Sequence, residues 1–533
     1  MGQLCPTWRH TSRRMAYTAS SMHQHTEIAS LPWRVSPVPF PASLTVHQWQ
    51  RPRTPDFAVD IYICLPAIGP VRRVQSSCHN YLYAATLAPC MAQDPALLKI
   101  LTRVKPDAQE QTQVKQAVIQ AKTTLKSLLS RLDAKLVPGG SIAKGTWLSG
   151  NTDIDLFVQF PASWRGRDIA QALAGALEQE RQHGGTHSAD KTLLRVERVH
   201  GSRDYFHVQK GRRVIEIVPV LAIASAAHAE NVTDISPLHV AWVRSMLTPR
   251  MQDEVRLAKQ LCKASRTYGA ESYIQGFSGY VLEILIAHHK SLAALAKAAS
   301  GWSERTYIDV DGHYADERAA RRALNRARMV SPLLLIDPVH PERNAAAALS
   351  KRNYARFKEQ CQTLTHALDR SATSSRAQTD ISRLFREQKN SVATLRKRGG
   401  YLIAYEATPL EGKEDVIGCK LLKAQEIIGA EMKNHGFTVQ DAGWEWDGKS
   451  KALLWHVLEK RKIPLTFVRV GPPAAKEPYA SAFRHKHPDA RIVDGKLEAD
   501  VRREYTDASK LAKALLTEER ISALVKKIAL IAS

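Results

Sequence analysis

The stretch from Gly139 to Val158 constrains the fold of this chain more than any other part of its sequence. It reads GGSIAKGTWLSGNTDIDLFV and combines a glycine-rich turn with two closely spaced acids. The glycines allow tight backbone approach, and Ser141 is predicted to begin a short helix, whose N-terminus would favour a phosphate group. In the strand that follows, Asp153 and Asp155 share one face and Ile154 faces the core, because successive side chains of a strand alternate.

The two aspartates predict a metal site next to the phosphate site. Neighbouring carboxylates repel each other, and a divalent cation between them relieves that repulsion. Oxygen ligands of this kind suit Mg²⁺, which proteins commonly share with substrate phosphates. A lone Gly-Gly-Ser is usually only a turn and a lone Asp-x-Asp is often a solvated strand end, but their combination in one short segment is more specific. It indicates nucleotidyl transfer.

The longer segment GSIAKGTWLSGNTDIDLFVQFP resembles the signature of the DNA polymerase β-like nucleotidyltransferases, and in detail that of the archaeal, class I CCA-adding enzymes. Two later stretches support the narrower resemblance: residues 233–290, which contain YGAE and GFSGY, and residues 333–350, which read LLLIDPVHPERNAAAALS. The resemblance covers roughly residues 91–533, and its motifs are specific as a set. It implies template-independent addition of CCA to the 3′ end of tRNA from CTP and ATP, with Mg²⁺ as the cofactor.

The resemblance also implies an α+β, multidomain fold. The expected parts are a polymerase β-like nucleotidyltransferase head of helices on a mixed sheet (91–232), a helical neck that recognises the nucleotide (233–350), and an α/β RNA-binding body and tail (351–533). Residues 1–90 differ from the rest, with eight arginines, no lysine and three acids. We expect them to be disordered. We interpret them as a mis-extended reading frame ahead of Met91 or, alternatively, as a transit peptide.

A third acid lies on the predicted strand 213–220, which reads RVIEIVPV. Glu216 shares a face with Val214 and Val218, and a buried, unpaired carboxylate would be costly there. An edge strand or a salt bridge is the simpler explanation, since charged residues are almost never fully buried unless paired. The resemblance makes Glu216 the third catalytic and metal-binding carboxylate beside Asp153 and Asp155. The family usually has aspartate at this place, in a pattern that ends Val-Pro as it does here.

The resemblance further implies which residues contact the nucleotide. Carried over by motif position, they are Gly140, Ser141, Lys144, His239, Lys259, Tyr268 and Arg343. Without the resemblance, Lys259 would be interpreted as an exposed helix lysine, His239 as an ordinary core or surface histidine, and Arg343 as a surface arginine at a helix N-terminus. The chain departs from the family at Gln275, where arginine is common, and at His340, where aspartate is usual.

Hydrophobic periodicity predicts the remaining elements. Helices are expected within 94–132 and at 168–182, 315–328, 415–434, 449–460 and 507–531; strands at 193–199, 205–209, 401–406, 437–446 and 464–470; and a basic loop at 483–487. After residue 390, basic and aromatic residues are interleaved, which suits contacts to RNA backbone and bases. By resemblance, this part of the chain holds the acceptor stem and the TΨC arm of tRNA.

The net charge of +24 over 533 residues suits a polyanionic partner. Seven cysteines without metal-like spacing indicate reduced thiols and a cytoplasmic protein, and no apolar run is long enough to span a bilayer. The family is commonly dimeric, which makes a homodimer an open expectation. Two alternatives to CCA addition remain: another polymerase β-like RNA nucleotidyltransferase, such as a poly(A) polymerase or an oligoadenylate synthase, and an inactive tRNA-binding protein.

Overall fold

The computed structural model describes residues 94–151, 153–183, 196–210, 213–325, 329–371 and 374–533. Three of the expectations above fall wholly or partly outside these residues: the disorder of residues 1–90, the beginning of the strand at 193–199, and the end of the basic helix at 315–328. The part of that helix which is described runs over Glu317–Ala323. No helix among the described residues is long and apolar enough to cross a membrane.

The first half of the chain builds a five-stranded mixed sheet with helices against it. Its elements are α1 (Pro95–Val104), α2 (Ala108–Thr124), α3 (Lys126–Arg131), β1 (Lys135–Pro138), α4 (Gly140–Lys144), β2 (Asp153–Phe160), α5 (Ile169–His183), β3 (Val196–Val199), β4 (Tyr205–Lys210) and β5 (Arg213–Leu221). The strand order is β1-β2-β5-β4-β3, in which β2 and β5 are parallel and the other pairs are antiparallel. The helix expected at 168–182 and the mixed sheet of the expected fold class are therefore confirmed.

Alternation along β2 decides which side of the sheet is available for chemistry. Ile154, Leu156, Val158 and Phe160 are all at most 1% exposed and pack against α3 and α5. Because side chains alternate along a strand, the odd-numbered residues of β2 point to the opposite face. The apolar face thus anchors the strand, and the two aspartates are left on the face away from α3 and α5.

A largely helical region follows. It contains α6 (Ser236–Met246), α7 (Pro249–Ala264), α8 (Gly279–His289), α9 (Leu292–Ser300), β6 (Thr306–Ile308), α10 (Glu317–Ala323), β7 (Leu333–Asp337), β8 (His340–Asn344), α11 (Lys351–Ser371) and α12 (Ser375–Leu384). The helices expected over 233–290 are present but are interrupted by a closed loop between Thr267 and Phe277, whose backbones bond to each other. The segment after β7 turns back as the hairpin strand β8, so Arg343 lies on a strand and not at a helix N-terminus.

The last part of the chain contains two antiparallel sheets. Its elements are α13 (Val392–Arg396), β9 (Tyr401–Thr408), α14 (Glu414–Asn434), β10 (Val439–Trp446), β11 (Ala452–Leu458), β12 (Thr466–Pro473), α15 (Tyr479–Lys486), β13 (Arg491–Val493), β14 (Lys496–Arg502), α16 (Ala508–Ala514), α17 (Glu519–Ser522) and β15 (Lys527–Ala532). The sheet orders are β10-β11-β9-β15 and β12-β14-β13.

Three expectations for this region are wrong. The helix expected at 449–460 is strand β11, the central strand between β9 and β10, and it is apolar on both faces because Leu454 and Trp455 enter different cores. Such a buried strand lacks the alternation that distinguishes strands from helices. The basic loop expected at 483–487 is mostly the end of α15. The final helix expected at 507–531 divides into α16, α17 and β15, which pairs with β9.

Candidate active site

The parallel pairing of β2 with β5 brings the three candidate carboxylates to one face of the sheet. Asp155 is aligned with Glu216, and Asp153 with Val214. Aligned residues of neighbouring strands point to the same face. Ile154 and Ile215 are aligned on the other face and are buried in the core. The carboxylates therefore lie side by side on the open face.

The electrostatics of this face favour a bound cation. Burial and the neighbouring charge of Asp153 raise the pKa of Asp155 above its usual value, against the influence of Lys144. Burial and Asp155 likewise raise the pKa of Glu216, while a hydrogen bond with His207 acts in the opposite direction. Burial is the larger cause of both shifts, and repulsion between the carboxylates adds to it; a divalent ion would relieve that repulsion. The donors are carboxylate oxygens, which suit Mg²⁺.

The carboxylates form an open site. Within the described part of the chain, no three acidic, histidine or cysteine side chains converge to hold a metal ion by themselves. An open arrangement fits an ion that completes its coordination with substrate phosphates and water, as Mg²⁺ commonly does. Carboxylate oxygens of this kind fit a metal that is shared with a nucleotide.

The glycine turn packs directly on this face. The N–H of Gly139 donates to the carbonyl oxygen of Asp155 (2.8 Å), and Gly140 has φ +55°. A Cβ atom added to Gly140 would overlap the Asp155 carboxylate. Ser141 and Lys144 follow within α4, which has only five residues. With so short a helix, phosphate binding would depend on the Ser141 hydroxyl, the backbone N–H groups and the Lys144 ammonium.

Lys144 and Lys259 meet at a buried acid, Glu283. The Lys144 ammonium lies 2.8 Å from Glu283, and the Lys259 ammonium lies 3.4 Å from it and 3.0 Å from the Thr146 hydroxyl. Burial lowers the pKa of Lys259 to about 8. Burial also acts to raise the pKa of Glu283, but the two lysines outweigh it and hold this pKa below its usual value. Lys259 is only 2% exposed, so it is not the exposed helix lysine expected from sequence alone.

Tyr268 completes this group. A Cβ atom added to Gly279 would lie 3.2 Å from the Tyr268 hydroxyl and 3.4 Å from the Lys259 ammonium, so the two polar ends converge on that glycine. The Lys144 ammonium also lies 5.3 Å from the centre of the Tyr280 ring. The Tyr280 hydroxyl in turn contacts Asp337, around which a second group of candidate residues lies.

A second buried acid, Asp337, gathers His239, Arg343 and Tyr280. Its carboxylate accepts hydrogen bonds from the Tyr280 hydroxyl (3.0 Å) and the Arg343 guanidinium (2.6 Å), and His239 Nε2 lies 3.1 Å away. Burial acts to raise the Asp337 pKa, but His239 and Arg343 hold it at about 2. Burial lowers the pKa of His239, and its ring packs on Tyr280 at 4.1 Å.

The sequence did not indicate five residues of this site: Thr146, His207, Tyr280, Glu283 and Asp337. Two of them lie inside the quoted GFSGY and DPV runs. Like Glu216, Glu283 is an acid in an otherwise apolar element, so the same sequence signal was available for it. Its partner Lys144 is 139 residues away in the chain, and His239 is 98 residues from Asp337. Those contacts exist only in the fold.

Comparison with known protein families gives three matches along the chain. Residues 118–193 match a nucleotidyltransferase domain, residues 253–372 match the second domain of tRNA nucleotidyltransferases, and residues 398–529 match the C-terminal domain of CCA-adding enzymes. The three segments follow each other in the order of the chain.

Individual relatives carry the same description. A CCA-adding enzyme of Nanoarchaeum equitans is 34% identical over 336 residues, which span 63% of this chain and 76% of the relative. A CCA-adding enzyme of Methanosarcina mazei is 28% identical over 439 residues, 81% of this chain and 90% of the relative. Among solved structures, a cytoplasmic RNA terminal U-transferase aligns with 55% of this chain and 98% of its own, at 15% identity and a TM-score of 0.42.

Proposed function

We propose a role for each candidate residue from one premise: the chain belongs to the family of CCA-adding enzymes. It is a tRNA nucleotidyltransferase that adds CCA to the 3′ end of tRNA by nucleotidyl transfer. The names of the relatives favour this activity over a poly(A)-type polymerase and over an inactive tRNA-binding protein. The observation that carries the assignment of the site is the alignment of Asp155 with Glu216 across β2 and β5, beside the glycine turn.

The three carboxylates are assigned to catalysis. Asp153, Asp155 and Glu216 would together hold Mg²⁺. Asp153 and Asp155 would do so at the nucleotide triphosphate, and Asp155 and Glu216 at the 3′-hydroxyl of the tRNA. When bound, the two ions supply neutralisation of the phosphate charge and activation of the attacking hydroxyl. The protein holds both reactants in position, and such positioning supplies most of the catalysis in phosphoryl transfer. One set of carboxylates serves CTP and ATP alike.

We assign nucleotide binding to the residues around the two buried acids, Glu283 and Asp337. The backbone N–H groups from Gly140, together with Ser141 and Lys144, bind the β- and γ-phosphates. Lys259 and Tyr268 act beside Lys144, since Glu283 pairs with both lysines and the Tyr268 hydroxyl meets Lys259 at Gly279.

The nucleobase is assigned to Arg343 and His239. Asp337 fixes both side chains, and the Arg343 side chain keeps 30% of its surface exposed, which leaves donors available to a base. An arginine held in this way presents a rigid set of hydrogen-bond donors.

We assign tRNA binding to residues 351–533. The catalytic head then comprises residues 91–232 and the neck residues 233–350. The acceptor stem and the TΨC arm would contact this last part. The exposed Tyr479 lies on α15 near Arg484 and Lys486, a combination that suits stacking and backbone contacts. Trp455 is 4% exposed, which favours a core role for it. A homodimer remains a proposal that follows from the family alone.

We place the activity in the cytoplasm. Cys262 and Cys361 are buried and free, and burial raises the pKa of both thiols, which disfavours the reactive thiolate form. Buried free thiols fit a reducing compartment.

The roles of the carboxylates can be tested one at a time. Asp155→Asn and Glu216→Gln should each lower the rate of CTP incorporation into tRNA by roughly a hundredfold or more, because several kcal/mol of charge stabilisation is lost. Asp168→Asn is the matched control, since Asp168 is an exposed acid at the start of α5, which packs on the opposite face of the sheet, and it should leave the rate unchanged. Near-normal rates for Asp155→Asn, in folded protein, would overturn the assignment.

A further inference from the structure

A row of polar side chains crosses the mixed sheet beyond the three carboxylates. Glu216 on β5 is aligned with Asp155 on one side and with His207 of β4 on the other. His207 Nε2 lies 3.3 Å from the Glu216 carboxylate. We propose that His207 is a positioning residue that holds the carboxylate of Glu216 in place for metal binding. This inference rests on the proposed catalytic role of Glu216.

The need for such a residue follows from the length of the glutamate side chain. A glutamate side chain has one more methylene group and one more torsion angle than an aspartate side chain. A longer side chain has more rotamers, and fixing it in one of them costs more entropy. About a third of the Glu216 side chain is exposed, so packing alone does not fix it. A hydrogen bond at its far end does.

His207 is itself braced. Its ring and that of Tyr205 on the same strand pack in a T-shaped arrangement, with 5.3 Å between the ring centres. A strand backbone and an aromatic contact therefore fix the Nε2 atom that faces Glu216. Groups that hydrogen-bond a metal ligand in this way orient it, and their removal typically lowers metal affinity or activity by about 10- to 100-fold.

Substitution of His207 tests the inference. His207→Ala should lower kcat for CTP addition about tenfold, with a much smaller change in KM for tRNA, because the reacting groups are misplaced and the substrate contacts are intact. It should weaken Mn²⁺ binding to the substrate-free enzyme by a similar factor, measured by electron paramagnetic resonance. His207→Gln, which retains an N–H donor, should recover much of both. His200→Ala is the matched control, since His200 is exposed and contacts Asp204 instead.

A double substitution separates positioning from a general structural role. In a Glu216→Asp background the carboxylate is one methylene shorter and leaves the reach of His207. His207→Ala should then change neither kcat nor Mn²⁺ affinity further, whereas an unrelated structural effect would persist and add to that of Glu216→Asp. Additive effects, or an unchanged Mn²⁺ affinity in His207→Ala, would overturn the inference.

The Glu216→Ala variant shows whether a negative result for His207 also counts against the proposed function. If Glu216→Ala loses both activity and Mn²⁺ binding while His207→Ala loses neither, only the positioning role of His207 is wrong. If Glu216→Ala retains both, Glu216 is not a metal ligand, and the assignment on which the inference rests is wrong as well. Thermal unfolding of each variant establishes that the comparison is made on folded protein.

Discussion

Single buried acids organise the candidate nucleotide site. Asp337 is fully buried and accepts hydrogen bonds from Tyr280 and Arg343, with His239 also in contact. Burial of a charge is costly unless it is paired and hydrogen-bonded. Here the partners more than compensate, since the Asp337 pKa is held at about 2. The ionised carboxylate therefore stabilises the fold and orients two side chains assigned to the nucleobase.

The low pKa of Asp337 makes its contribution to stability depend on pH. A carboxyl group with a pKa of 3.8 in the unfolded chain and about 2 in the folded chain contributes about 2 kcal/mol. That contribution is complete above about pH 5 and is lost as the pH falls through 4 toward 2. We expect Asp337→Asn to lower the midpoint of urea unfolding at pH 7 and to differ much less from the wild type at pH 2. An equal difference at both pH values would contradict this role.

Glu283 offers a second test at the same scale. Glu283→Gln leaves Lys144 and Lys259 without their shared negative partner, and removing one side of a buried ion pair costs about 3–5 kcal/mol. The midpoint of urea unfolding should fall accordingly. The matched control is Glu411→Gln, which removes the exposed pair with Lys526 and should cost less than about 1 kcal/mol. Equal losses in the two variants would show that Glu283 is not a buried counter-charge.

At the residue scale, the sequence alone could indicate only some of the candidate site residues, for a physical reason. Asp153 and Asp155 could be recognised because both lie in one strand beside a glycine turn, so local spacing carries the information. Glu216 could be recognised as an acid among β-branched residues. Glu283 and Asp337 lie in equally apolar elements, but their charge partners come from distant segments of the chain. The local sequence pattern therefore indicated the acids assigned to catalysis and missed the acids that pair with the residues assigned to nucleotide binding.

At the scale of elements, the sequence identified amphipathic structures and failed on those buried from both sides. The helix expected at 415–434 is present as α14 (Glu414–Asn434), because one face packs on the sheet and the other meets solvent. Strand β11 was misassigned because it lies between β9 and β10 with a core on each side. Strand β15 was misassigned because its partner, β9, is more than 100 residues away in the chain. Sheet pairing over such distances has no local signature.

The turn between β1 and α4 yields a prediction at this scale. Gly140→Ala should abolish most activity, because its Cβ atom would displace the Asp155 carboxylate and because φ +55° is unfavourable for alanine. Gly150→Ala provides a matched control, since Gly150 has φ +76° but open space around its Cβ position. Both variants carry a backbone strain of about 1 kcal/mol, measurable by thermal unfolding. If both lose CTP incorporation equally, strain and not displacement of Asp155 is responsible.

At the scale of the whole molecule, the closed loop between Thr267 and Phe277 is joined to the last part of the chain. The loop after Tyr268 contacts the beginning of α14, where the Ser272 hydroxyl lies 3.1 Å from Asp415 and the Tyr273 hydroxyl lies 2.8 Å from Glu414. Arg266 pairs with Glu445 on β10. The elements assigned to tRNA and to the nucleotide are thus in direct contact. The net charge of +24 adds a general attraction for the RNA backbone.

We propose that the same three carboxylates, Asp153, Asp155 and Glu216, serve all three nucleotide additions to tRNA. The direct measurement uses the full chain, a tRNA that lacks its CCA end, CTP, ATP and Mg²⁺, followed by sequencing of the tRNA 3′ ends. The wild type should add CCA and stop. Asp155→Asn should lose the addition of C and of A in parallel. Tails of A alone from the wild type, or A addition that survives in Asp155→Asn while C addition is lost, would contradict the claim.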